Sequence, residues 1–159
     1  MADAVRADAR RNRERILEVA ALAFGTAGGP VSLERIARDA GVGIGTLYRH
    51  FPSREVLVEA VYRAELAEVA ATAQELLRTH PPVEALRLWM DRYAMFVAAK
   101  RGMAESLKAI FDSGAVTAGD TRAGVVGAVG ALLAAGAADG SLRADVPADD
   151  VVTGLLGIM

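Results

Sequence analysis

Between Ser32 and Phe51 the chain has room for two short helices and a tight turn, and for little else. Leu33, Ile36, Ala37 and Ala40 recur at i, i+3, i+4 and i+7, the buried face of a helix of about two turns. Ser32 stands before it at an N-cap position, and Glu34 falls in the first turn, where the helix dipole favours an anion. Gly41-Val42-Gly43 then breaks the pattern, and a third helix over Ile44 to Phe51 turns Leu47 and Phe51 inward. Two short helices across a glycine turn form the helix-turn-helix arrangement. It places its second helix to enter a DNA major groove while the first crosses the backbone.

The remaining periodicity is also helical, with no alternating strand pattern. A first helix carries Ile16, Val19, Ala20 and Ala23 on its apolar stripe, ends near Thr26, and is broken by Ala27-Gly28-Gly29-Pro30. Pro52-Ser53 restarts the chain, with Ser53 as N-cap of a fourth helix from Arg54 to about Thr79, roughly 40 Å long. A helix of that length commonly joins two parts of a molecule. His80-Pro81-Pro82 stops it, and His80 reads as a helix-end cation. A fifth helix spans about Val83 to Lys100, a short sixth Met103 to Phe111, and a loop Asp112 to Gly119. A seventh runs from about Asp120 to Asp139 with Gly140 as C-cap, and an eighth starts after Pro147. The predicted fold is all-α, a helix-turn-helix head over residues 1–53 joined by the long fourth helix to a helical body over 54–159.

Composition narrows the function further. The formal net charge is -2, but residues 1–64 carry ten Lys/Arg against eight Asp/Glu, whereas residues 65–159 carry eight against twelve. Positive charge therefore gathers at the helix-turn-helix end. With no cysteine and only two histidines, the chain offers no disulfide, thiolate nucleophile, thiolate metal site or histidine-rich metal site. The N-terminus is charged and lacks the apolar core of a signal peptide. Ala123 to Ala138 bears no charged or polar side chain but falls short of the roughly 20 residues a spanning helix needs. It reads as a buried helix, and the protein as cytoplasmic, without a membrane partner. No paired-carboxylate, metal or nucleophile constellation stands out, so an enzyme is not expected and no cofactor is called for.

The third helix shows solvent Thr46, Tyr48, Arg49 and His50, a hydroxyl, a phenol, a guanidinium and an imidazole suited to phosphates and base edges. Gly45 leaves its backbone bare for close approach, and Arg54 stands at the start of the next helix among backbone N–H groups that attract phosphate. Arg6, Arg10, Arg11, Arg13 and Arg15 form either a minor-groove arm or, as such runs usually do, a solvated helix face. Gly41 to Gly45 lacks the preceding strand of a nucleotide-binding glycine loop and is not read as one.

These residues carry a family resemblance. The TetR family of repressors has, at its turn and recognition helix, a pattern close to A-G-V-S-x-G-T-L-Y-x-H-F, followed by a small polar residue, Lys and Glu. Here Ala40, Gly41, Val42, Gly45, Thr46, Leu47, Tyr48, His50, Phe51 and Glu55 agree. The match covers about the first third of the chain. It implies that Tyr48 and His50 hold phosphates, that Thr46 contacts backbone or base, and that Ser32 binds phosphate from the second helix. Ile44, Gly45 and Arg49 would face the bases, and Arg54 would take the phosphate role of the family lysine. Gly43 departs from the usual capping Ser or Thr, which weakens the start of the recognition helix.

The body resembles the family's variable sensor domain, with Ala138 to Asp150 similar to its common connection between the seventh and eighth helices. That implies a homodimer on double-stranded operator DNA with a small-molecule effector bound among the later helices. Trp89, Met90, Tyr93, Phe96, Met103, Leu107 and Phe111 are the candidate lining, though each also suits an ordinary core. Gly124, Gly127 and Gly130 bare one face of the seventh helix, for either close helix packing or ligand space. The implied function is repression released by ligand, with two heads about 34–36 Å apart on a palindrome. The alternative is a helical small-molecule receptor or protein-interaction module without operator binding. Family members pair through their last two long helices, whereas the eighth helix here is short and ends at apolar Gly-Ile-Met. The expectation is therefore a shortened chain lacking a pairing helix; a complete one would have to dimerise through other surfaces.

Overall fold

The computed structural model describes residues 2–26, 31–112 and 118–158. Eight α-helices run through them: α1 (Ala2–Thr26), α2 (Leu33–Asp39), α3 (Ile44–His50), α4 (Arg54–Thr79), α5 (Pro82–Ala99), α6 (Ala104–Asp112), α7 (Ala118–Ala138) and α8 (Ala148–Ile158). A 3-10 turn, Lys100–Met103, separates α5 from α6. No strand occurs among the described residues, and no helix there is long and apolar enough to cross a membrane. The break at 27–30 and most of the predicted loop before α7 lie outside the described residues; Ala118 and Gly119 already belong to α7.

Two compact units divide the chain. The first comprises residues 1–62 and 99–115, the second residues 63–98 and 116–159. In the first, α1 packs on α2, α3 and the 3-10 turn. Its buried stripe is Ile16, Ala20 and Phe24 at a spacing of four, with Val19 and Ala23 only half-buried at its margin. Facing it lie Ile36, Ala37, Ala40, Leu47 and Phe51, together with Leu57, Val58 and Val61 from the start of α4, all buried.

In the second unit Trp89, Tyr93 and Phe96 form the buried face of α5. The Trp89 and Tyr93 rings stack with centroids 5.4 Å apart, and Phe96 tilts against Tyr93 at 6.1 Å. Trp89 Nε1 donates to the Val69 carbonyl of α4 at 2.9 Å, so its one polar atom is satisfied where the ring is fully enclosed. The helix opens on Pro82, one residue before the expected start, because proline suits a first position that needs no N–H donor.

The helices α7 and α8 pack together. Gly140 has φ +77, as a helix-ending glycine should, and Leu142 N–H returns to the Gly136 carbonyl at 2.9 Å. Close approach in α7 is imposed at Gly136, which the sequence pattern did not single out. A Cβ there would lie 2.8 Å from Leu142 Cβ and closer still to the carbons beyond it. Side chains added at Gly124 and Gly130 would make ordinary contact with Ala70 and Ala148, at 3.9 and 3.7 Å, and one at Gly127 would meet open space.

Candidate nucleic-acid interface

The geometry begins at the turn. Gly41 has φ +65, a left-handed conformation that a Cβ penalises. Its N–H bonds to Arg38 O at 3.0 Å and the Val42 N–H to Ala37 O at 3.0 Å, the paired bonds of a Schellman ending. This ending stops α2 within two residues and redirects the chain into α3. Gly43 is the N-cap of α3 in extended conformation (φ -69, ψ 148) and supplies no side-chain cap. Only backbone closes that end: Thr46 and Leu47 N–H groups reach the Gly43 carbonyl at 2.9 and 3.1 Å.

One side of α3 is anchored and the other presented. Leu47 is fully buried, and Phe51, the C-cap residue, is buried and donates its N–H to Leu47 O at 2.8 Å. Ile44 and Tyr48, one turn apart, are 39% and 43% exposed and lie on the same side of the helix. Gly45 and Arg49 are exposed beside them, Thr46 and His50 half-buried at the margins. A Cβ at Gly45 would meet nothing within 4 Å, so the backbone there is open to a large partner. The structure thus brings Ile44, Gly45, Thr46, Tyr48, Arg49 and His50 together on one short rod.

Ser32 caps α2: its Oγ accepts from Arg35 N–H at 3.2 Å, which leaves the hydroxyl hydrogen for another acceptor. Ser53 does the same for α4, accepting from Val56 N–H at 3.3 Å. In that first turn Glu55 is held below the ordinary carboxylate range, chiefly by its own backbone N–H and then by Ser53.

Arg54 opens α4, as the sequence predicts, and its guanidinium is engaged within the fold. Its guanidinium lies 5.2 Å over the Phe24 ring of α1, Nε donates to Ser106 Oγ of α6 at 3.4 Å, and one Nη donates to the Val31 carbonyl. Half-buried, it ties α1, the lead-in to α2 and α6 to the base of α4. A guanidinium suits this position, since its planar fork of donors reaches two separated acceptors while its charge lies over a ring. No local sequence signal marks this, since the partners lie 23 and 52 residues away.

The candidate effector residues fall in both units. Trp89, Met90, Tyr93 and Phe96 belong to the second; Met103 and Leu107, both buried, belong to the first. The side chain of Phe111 lies outside the described residues. No group of three or more His, Asp or Glu side chains suited to a metal occurs among the described residues.

An all-helical chain presenting a short, anchored helix after a left-handed glycine turn defines a helix-turn-helix DNA-binding regulator with a helical body. Residues 16–61 match the model of the bacterial regulatory proteins of the tetR family, and residues 81–159 match that of the C-terminal domain of SbtR-like transcriptional regulators. A solved TetR transcriptional regulator from Streptomyces coelicolor is 46% identical and superposes with a TM-score of 0.78, over 92% of this chain and 83% of that one. A TetR transcription regulatory protein from Mycobacterium vanbaalenii is 37% identical, with a TM-score of 0.79 over 96% and 92% of the two chains. A curated HTH-type transcriptional regulator of Staphylococcus aureus is 31% identical over 108 residues, 66% of this chain, and the match spans 58% of that relative's length. The chain belongs to the TetR family of transcriptional regulators.

Proposed function

We propose that the protein is a cytoplasmic homodimeric repressor that binds a palindromic operator and leaves it when a small molecule occupies the helical body. The observation that carries the DNA-binding part is the exposed face of α3. Exposed Ile44, Gly45, Tyr48 and Arg49 share one short helix whose other side is locked by fully buried Leu47. In this reading Tyr48, His50 and Ser32 donate to phosphates, while Ile44, Gly45, Thr46 and Arg49 read the groove. Position 54 contributes phosphate affinity indirectly, by holding the α4 N-terminus in place.

For the effector, the stacked Trp89–Tyr93–Phe96 ladder of the second unit supports an apolar, aromatic-tolerant ligand. Such a ligand acts only through unequal affinity for the DNA-competent and incompetent states. We assign the protein no catalytic role.

Selection of binding sites from a random DNA pool tests the reading, with the intact gene product as bait and the Tyr48→Ala/His50→Ala double variant as control. Wild-type enrichment of a two-fold palindrome that the variant fails to enrich is the expected result. Absence of enrichment even at low salt, where phosphate contacts are strongest, overturns it in favour of a receptor or protein-docking module.

A further inference from the structure

The arginines of α1 are not equivalent. Arg10 Nε lies 3.8 Å from Glu14 Oε1, and Arg11 pairs with Asp8. Arg15 donates to Asn12 Oδ1 at 2.7 Å. These are helix-surface pairs of the ordinary i, i+3 and i, i+4 kind, and they hold the side chains along α1. Arg13 has no carboxylate partner among the described residues. Its guanidinium carbon lies 5.2 Å from the centroid of the Phe51 ring. Phe51 is buried and closes the recognition helix, and its ring centroid is 6.4 Å from that of His50.

A guanidinium over a ring is held by cation–π attraction and keeps N–H donors for other acceptors. A side chain already held on a ring loses less rotamer freedom on capture than one waving in solvent. The Arg13 charge is therefore unneutralised, oriented, exposed, and set against the end of α3 that carries His50. We propose that Arg13 is a phosphate contact of the DNA interface, extending the phosphate-binding surface from the C-terminal end of α3 onto α1. Its partner is a phosphodiester oxygen and not a base edge, so it adds affinity without sequence preference. This inference rests on the DNA-binding reading above.

Salt titration of binding to a labelled random-sequence DNA duplex tests it, comparing wild type, Arg13→Gln, Arg13→Lys and Arg10→Gln. Losing one phosphate contact should lower the magnitude of the log K against log salt slope by about 0.9, which corresponds to roughly eightfold weaker binding at about 0.1 M salt. Arg13→Gln should show that change, Arg13→Lys should keep the wild-type slope, and Arg10→Gln, at an exposed residue paired along α1 with Glu14, should keep it. A purely structural role for Arg13 would lower the melting temperature and leave the slope unchanged. An unchanged slope in Arg13→Gln, or an equal fall in Arg10→Gln, overturns the assignment while DNA binding by wild type stands. Failure of the wild-type protein to bind the duplex at any salt removes the DNA-binding reading itself, and the assignment with it.

Discussion

At the scale of single residues, the turn before the recognition helix contains two glycines with opposite requirements. Gly41 sits at φ +65 with nothing within 4 Å of a notional Cβ, so Gly41→Ala would suffer conformational strain alone, about 1 kcal/mol. Gly43 has an extended N-cap conformation that any residue adopts, and it too has open space around it. Gly43→Ser should therefore supply the missing cap and stabilise the fold by a few tenths of a kcal/mol, roughly the Ser–Gly difference at N-caps. Thermal unfolding followed by circular dichroism should move in opposite directions for the two variants. Both glycines were visible in the sequence as a turn, but only backbone dihedrals distinguish the indispensable one from the replaceable one. The same holds for Ile44 and Tyr48: their residue types suggested a DNA-reading helix, while their shared exposure is a property of how α3 rests on Leu47.

At the scale of elements, α7 and α8 are joined by a polar clasp on top of their apolar contact. Arg122 Nε donates to Asp149 Oδ1 at 2.9 Å, and its Nη2 reaches the Asp149 carbonyl and Thr153 Oγ1 at 3.1 and 2.6 Å. The Arg122 hydrogen bond holds the Asp149 carboxyl below its ordinary range, and Ser141, through its hydroxyl and then its N–H, does the same for Asp139 in the following turn. Because both carboxyls titrate lower in the folded state than in the unfolded chain, their contribution is present above the ordinary carboxylate range. It is lost as pH falls through the lowered folded values. Asp149→Asn should thus flatten the acid limb of the stability curve measured by denaturant unfolding between neutral and strongly acidic pH, while leaving its neutral-to-basic limb in shape. Gly136→Ala should be costlier than Ala at Gly124, Gly127 or Gly130, at about 1–3 kcal/mol, since the new methyl displaces Leu142 whereas the other three sites accept a methyl in ordinary contact or open space. Equal melting temperatures for Gly136→Ala and Gly127→Ala would contradict that ranking. The spacing of three did not single out Gly136, because what forbids a methyl there is a neighbour from the following turn.

At the scale of the whole molecule, Arg54 organises the first compact unit. It touches Phe24, Val31 and Ser106, which belong to α1, the approach to α2, and α6. Arg54→Ala should cost about 2 kcal/mol, in line with loss of charge-assisted hydrogen bonds at a half-buried site. Hydrogen exchange should then accelerate in α6 before it does so in α2 and α3, whose own caps at Ser32 and Gly41 persist. Arg54→Lys should recover only part of the loss, because a compact ammonium lacks the planar fork that reaches the separate Val31 and Ser106 acceptors. Trp89, the single tryptophan, reports on the other unit: fully enclosed and bonded to Val69, it should emit as a buried indole.

Helix type, order and most boundaries were determined by the sequence itself, because spacing of apolar residues, caps at Ser32 and Ser53, and glycines 41 and 140 act within a turn or two of chain. The exposed face of α3 was legible for the same reason, as it lies on one short helix. Tertiary structure alone decided where the long cations point: Arg54 turned inward to partners up to 52 residues away, and Arg13 settled on the ring of Phe51. It also decided that Gly136 is the glycine α7 requires. A guanidinium on three methylenes reaches several surfaces with little local preference among them, so its partner is chosen only when distant segments of the chain have been folded together.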